Sequence, residues 1–135
     1  MALTRGTRIA NYEIIGLLGA GGMGEVYRAR DMRLGRDVAI KVLANRVTED
    51  QVLLARIERE ARLLASLNHP SIATIHSVED WEGSPAIVME LIEGETLGVK
   101  FFEGPLPIAD VIRVARQVSE ALCAAHDRGV VHRDL

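Results

Sequence analysis

A chain of 135 residues, 48% hydrophobic and 26% charged, has the composition of one soluble globular unit with enough apolar material for a core. A net charge of −3 provides no basic field to hold a phosphate backbone, which argues against general nucleic-acid binding. No run of about 18 apolar residues encodes a membrane span, and residues 1–11 carry Arg5 and Arg8 without an apolar stretch, so the expected compartment is the cytoplasm.

In chain order, Tyr12 to Leu18 is short and rich in strand formers, and the cluster Gly19, Gly21, Gly22 and Gly24 follows at once. Glu25 to Arg30 then alternates apolar and polar side chains, the period of a second strand, so the glycines are expected in a hairpin. Asp31 to Asp37, with Gly35, reads as a turn, and Val38 to Leu43 as a third strand. In that strand Lys41 shares a face with Ala39 and Leu43, while Val38, Ile40 and Val42 take the other.

Thr48, Glu49, Asp50 and Gln51 form a capping box, with Thr48 as the expected N-cap of a helix. Its apolar stripe, Leu53, Ile57, Leu64 and Leu67, leaves one place on the same face for Glu60, a carboxylate that wants a cation from another element. Asn68, His69 and Pro70 are the expected stop. Two strands, Ile72–Val78 and Ala86–Ile92, follow around a polar turn at Asp80 to Pro85, and Glu93, Gly94 and Glu95 read as a linker. A second helix is expected over Ile108 to Arg128, with Ile108, Val111, Ala115, Val118, Leu122 and Ala125 on one face and Gly129 as its stop. Cys123, between Leu122 and Ala124, is expected to be buried packing. There is no internal repeat and no low-complexity tract.

The run Gly19-Ala20-Gly21-Gly22-Met23-Gly24-Glu25-Val26 satisfies G-x-G-x-x-G-x-V, where missing side chains let backbone amides approach phosphate oxygens. A glycine-rich hairpin without a ligand fits the run as well. A Walker A loop fails because Glu25 stands where lysine is needed, and a Rossmann turn fails because a strand follows the glycines. Lys41 alone could be solvated on an edge strand. Pairing it with Glu60 would resolve two awkward placements at once, against the local alternative of Glu60 with Arg56 one helical turn earlier. His69, His126 and Trp81 read as structural, and no metal site is recognised.

In this order the glycine loop, Val38-Ala39-Ile40-Lys41, Glu60 and His132-Arg133-Asp134-Leu135 match the protein-kinase signature set. From about Tyr12 to the last residue the chain resembles the eukaryotic-like serine/threonine protein kinases of bacteria. The resemblance implies an α+β, protein-kinase-like fold. It comprises an N-terminal extension over 1–11, an antiparallel five-stranded N-terminal lobe with one capped helix and a hinge over 12–92, and the first helices of an incomplete helical lobe over 93–135.

It further implies ATP as the nucleotide, with Gly19 to Glu25 around the phosphates and Lys41 on the α and β phosphates, positioned by Glu60. Leu18, Val26 and Ala39 would sandwich the adenine, Met89 would be the gatekeeper, and the backbone of Glu90, Leu91 and Ile92 would be the hinge. Asp134 would accept or orient the proton of a protein substrate's hydroxyl, with His132 and Arg133 supporting it.

Mg²⁺ is implied with ATP, but the catalytic-loop Asn and the D-F-G Asp that hold it in the family have no counterpart up to Leu135. A polypeptide of these 135 residues is therefore expected to bind ATP weakly, to transfer little phosphate and to expose the apolar face of its last helix. A second copy of the kinase is a candidate partner. The alternatives are a non-catalytic module that binds nucleotide or pairs with a kinase, and a small-molecule kinase.

Overall fold

In the computed structural model, which describes residues 3–132 apart from the side chain of Arg46, six antiparallel strands form one sheet. They are β1 (Arg8–Ile9), β2 (Tyr12–Gly21), β3 (Gly24–Asp31), β4 (Arg36–Leu43), β5 (Ile75–Trp81) and β6 (Ser84–Glu90), in the spatial order β1-β2-β3-β4-β6-β5. The helices are α1 (Asn45–Thr48), α2 (Gln51–Ala65), α3 (Leu97–Phe102) and α4 (Ile108–Asp127). One strand more than the expected five is present. β1 adds to the edge through Arg8 opposite Glu13 and Ile9 opposite Tyr12, and it buries Ile9 completely.

Period-two alternation builds the core on one face of the sheet. Tyr12 and Ile14, Tyr27 and Ala29, Val38 and Ile40, and Ala86 and Val88 stack across four strands with Ile9, and Leu3, Val42 and Trp81 pack against the cluster. The buried Tyr27 hydroxyl takes the Leu3 amide at 2.8 Å and donates to the Glu25 carboxylate, so its polar end is satisfied inside the cluster. The opposite face carries Val26, Lys41 and Ile87 as one cross-strand row and Arg28, Ala39 and Met89 as the next.

The turns follow local chemistry. Glu82 and Gly83 both have positive φ, 51° and 79°, the two-residue turn whose twist suits a hairpin, and it is tighter than the expected loop. The β3–β4 turn is organised by Asp31, which is 2% exposed. Its carboxylate accepts from the Arg33 and Leu34 amides at 3.0 and 3.1 Å and from Asn11 Nδ2 at 3.0 Å, with Arg36 at 3.7 Å. Burial pushes the Asp31 pKa up, but the Leu34 and Arg33 amides, Asn11 and Arg36 together outweigh it and leave it below the usual value. A carboxylate with a lowered folded-state pKa stabilises the fold above its unfolded-state pKa and loses that contribution as pH falls through the folded value. Acid unfolding followed by circular dichroism should therefore show a loss of stability beginning below about pH 4, and Asp31→Asn should flatten that dependence while lowering stability near neutral pH.

The helices depart from expectation in four places. Asp50, not Thr48, caps α2: its carboxylate accepts from the Val52 and Leu53 amides at 3.1 and 3.0 Å, while Thr48 ends the separate helix α1 and donates its hydroxyl to the Asn45 carbonyl. Both residues are good caps, and the ionised one also meets the positive end of the longer helix. α2 stops at Ala65 with Ser66 as its C-cap, before the Asn68-His69-Pro70 signal. α3 was not foreseen, although Thr96 caps it by accepting from the Val99 amide at 3.2 Å. Cys123 is exposed, because in α4 Val118, Leu122 and Ala125 turn toward α2 and Cys123 lies 100° around the helix from Leu122.

Candidate active site

The glycine run is split between two strands instead of sitting outside them. β2 continues through Gly21 and β3 begins at Gly24, paired to each other, with Gly22 and Met23 as the turn. The hairpin lies close on β4: the Ala44 amide donates to the Met23 carbonyl at 3.1 Å, and Gly24 comes so near the Val42 carbonyl that a Cβ would stand 2.0 Å from its oxygen. Gly24 also has φ +141°, so only glycine fits there.

Beneath this hairpin is a cavity of about 520 Å³ walled by Gly19, Ala20, Gly21, Gly22, Met23, Gly24, Val26 and Lys41. Lys41 is half-buried on this wall, and among the described residues its ammonium has no hydrogen-bond or ion-pair partner. A half-buried cation beside four glycines is a receptor for an anion. Glu25, placed with this loop by the sequence, points elsewhere. It lies against Trp81, Glu82 and the end of β4 in a second cavity and binds Tyr27.

Ala39 is buried one position across from Met89, and Val26 is directly opposite Lys41, so these residues form a continuous floor next to the glycine hairpin. Leu18 stands at the bulge where β2 slips register between Leu17 and Gly19, and it is about half exposed. After Met89 the strand runs out. Glu90 is held by Thr74, whose amide donates to its carboxylate at 3.0 Å and whose carbonyl accepts its amide at 2.8 Å, and Leu91 and Ile92 continue as irregular chain. Arg28 reaches from β3 toward Glu93 at 4.0 Å, while its guanidinium is anchored on Asp37.

The expected ion pair of Lys41 with Glu60 is not formed. Glu60 lines a separate, largely apolar cavity of about 420 Å³ between α2 and α4, with Leu64, Val118, Leu122 and His132. The reason is the seat of α2, which packs against β5. That strand is separated from β4 by β6, and in this seat Glu60 faces the cavity between α2 and α4 instead of Lys41. Glu60 does not pair with Arg56 either among the described residues. Asp134 and Arg133 lie outside the described residues. Among the described residues no group of three His, Cys, Asp or Glu could hold a metal ion, and no helix is long and apolar enough to cross a membrane.

Comparison with known proteins converges on one family. Its sequence profile, described as the protein kinase domain, matches residues 12–135. The serine/threonine-protein kinase PknB of Mycobacterium leprae is 42% identical over 129 residues, covering 92% of this chain and 21% of that protein. The crystal structure of a double mutant of the Mycobacterium tuberculosis PknI kinase domain superposes over 100% of this chain and 56% of its own, with a TM-score of 0.88 and 32% identity. A structure of Rad53 in complex with AMP-PNP covers 93% of this chain and 33% of its own, with a TM-score of 0.78 at 26% identity. The chain thus spans about a fifth of the length of that curated relative and about half of the PknI chain. With the six-stranded lobe, the glycine hairpin over an unpaired lysine and a profile match from Tyr12 onward, the chain belongs to the protein kinase domain family.

Proposed function

We propose that the chain forms the nucleotide-binding part of a serine/threonine protein kinase that moves the γ-phosphoryl group of ATP to a protein hydroxyl. The observation that carries this reading is the half-buried, unpartnered Lys41 ammonium on the wall of the glycine-lined cavity. In this reading residues 12–92 are the N-terminal lobe and hinge, and 93–135 begin the second lobe.

Phosphate oxygens take the backbone amides of Gly19 to Gly24 and the charge of Lys41, and adenine lies on Leu18, Val26 and Ala39 below Met89. The chain from Glu90 to Ile92 presents its backbone to the adenine edge. Among the described residues Ile92 has no backbone partner, which leaves its amide available as a donor. Asp134 orients the substrate hydroxyl and takes its proton. No Mg²⁺ ligand is assigned to the described residues. That the similar Rad53 structure was solved in complex with AMP-PNP supports nucleotide binding by this fold. The non-catalytic binding module is not favoured, since the similar curated proteins are named as kinases.

The separation of Lys41 from Glu60 makes binding and transfer respond differently to mutation. In the arrangement seen, Glu60 makes no contact with the phosphate cavity, so Glu60→Gln should leave nucleotide affinity within about 2-fold. Transfer requires α2 to bring Glu60 to Lys41, so the same change should slow phosphorylation by roughly 10- to 100-fold. Equal loss in both measurements would mean that the pair already forms before binding. The direct test of the function is titration of the full-length protein with Mg·ATP while following its thermal unfolding, together with transfer of labelled phosphate to a protein acceptor. Saturable stabilisation with transfer is expected, and an absence of both would reject the reading.

A further inference from the structure

The C-terminal ends of α2 and α4 meet at Ser66 and Arg128. The Ser66 hydroxyl donates to the Leu63 carbonyl at 2.8 Å and accepts from Arg128 Nη1 at 3.0 Å, a contact across 62 positions of sequence. Ser66 is exposed, and the irregular chain from 67 to 69 begins immediately after it. Arg62, one helical turn before Ser66, is 80% exposed and reaches Glu58 only at 4.0 Å.

We propose that Ser66 is a phosphorylation site whose phosphate is held by Arg128 and Arg62, tying the end of α2 to the end of α4. In the modification, Ser66 Oγ bonds to the γ-phosphorus of a nucleoside triphosphate as the bond to the bridging oxygen breaks. The nucleoside diphosphate leaves with that electron pair, and the hydroxyl proton passes to a base of the phosphorylating enzyme. A second copy of this protein as that enzyme rests on the kinase reading above; capture of the phosphate by the two arginines does not.

A doubly charged anion at a helix C-terminus is opposed by the helix dipole, so a phosphate on Ser66 without a receptor would destabilise α2. Arg128 already stands at hydrogen-bond distance, and Arg62 is close enough to turn from Glu58, so the phosphate exchanges one neutral-acceptor bond for charge-assisted ones. Loss of the hydroxyl proton leaves no orphan, because the Leu63 carbonyl also accepts the Ser66 amide at 3.3 Å.

The test installs phosphoserine at position 66 by genetic encoding in the full-length protein carrying Lys41→Met, and compares its melting midpoint with that of the unmodified counterpart. The expected result is a rise of about 2–4 °C. Arg128→Gln should turn the rise into a fall, and Arg62→Gln should remove part of it. An unchanged or lower midpoint with both arginines present, or a rise that survives Arg128→Gln, overturns the proposal. In parallel, wild-type protein with ATP is given the Lys41→Met protein as acceptor and the phosphopeptides are mapped. Phosphate on Ser66 supports self-modification, and phosphate elsewhere but not on Ser66 overturns it. An absence of any transfer contradicts the kinase reading, and the melting result then decides Ser66 by itself.

Discussion

Replacing Lys41 with methionine should remove most of the stabilisation by ATP while leaving the fold intact. Methionine keeps the length and apolar stem of lysine, so the packing between Val26 and Ile87 on the neighbouring strands survives. What disappears is a charge that among the described residues has no protein partner to abandon. The unliganded variant should therefore melt at or slightly above the wild-type temperature, since a half-buried, unpaired ammonium is a liability until an anion arrives. Its charge-assisted bonds to phosphate are worth about 1.5–3 kcal/mol, so nucleotide affinity should drop by roughly 10- to 100-fold and transfer by more. A calorimetric titration beside a melting curve separates the two effects. Undiminished binding would place the nucleotide away from the glycine cavity.

Gly24→Ala should be the most damaging single-methyl change in the hairpin. The added carbon would stand 2.0 Å from the Val42 carbonyl oxygen and 3.0 Å from Leu43 Cα, on a backbone at φ +141°. Both neighbours are main chain of the central strand β4 and cannot step aside as a side-chain tip could. Overlap and conformational strain together should cost about 2–5 kcal/mol, a large part of the margin of a domain this size. Gly19→Ala and Gly21→Ala provide the control. Neither has positive φ or a heavy atom within 4 Å of the new carbon, so each should change unfolding free energy by less than about 1 kcal/mol. Urea unfolding of the three variants measures the contrast directly. Equal losses would mean that the contact between Gly24 and β4 does not hold the hairpin down.

The sheet was legible in the sequence wherever a strand buries one face. Val38 and Ile40 against Ala39 and Lys41, and Tyr27 and Ala29 against Val26 and Arg28, announce their sides by alternation, and the structure gives them those sides. β1 was invisible because two residues carry no period; only the burial of Ile9 against Tyr12 makes it a strand. The cap of α2 was ambiguous because Thr48 and Asp50 both accept hydrogen bonds well, and the intervening helix α1 decided between them. α3 carried the signal of Thr96 three residues before Val99, masked by Gly98 and by its length of 6 residues.

At the site, the types and order of residues were readable and their distances were not. Lys41 and the glycines meet because adjacent strands of one sheet place them together, a local consequence of register. Glu60 depends on where a whole helix sits, and its carboxylate is compatible with two seats: beside Lys41, or in the cavity it lines with Leu64 and Val118. Periodicity identifies the face of α2 that carries Glu60 but cannot choose between neighbours several ångströms apart. The divided role of the glycine run had the same origin. Glu25 follows the glycines in sequence, yet strand alternation turns it to the Tyr27 and Trp81 side.

The measurement that bears most directly on the central claim is transfer of the γ-phosphoryl group of labelled ATP to protein by the full-length protein, compared with its Asp134→Asn variant. The account predicts phosphate on serine or threonine hydroxyls, with the rate in the variant lower by about 10²- to 10⁴-fold at nearly unchanged nucleotide affinity. Saturable ATP binding with no transfer, or transfer indifferent to Asp134, would contradict it.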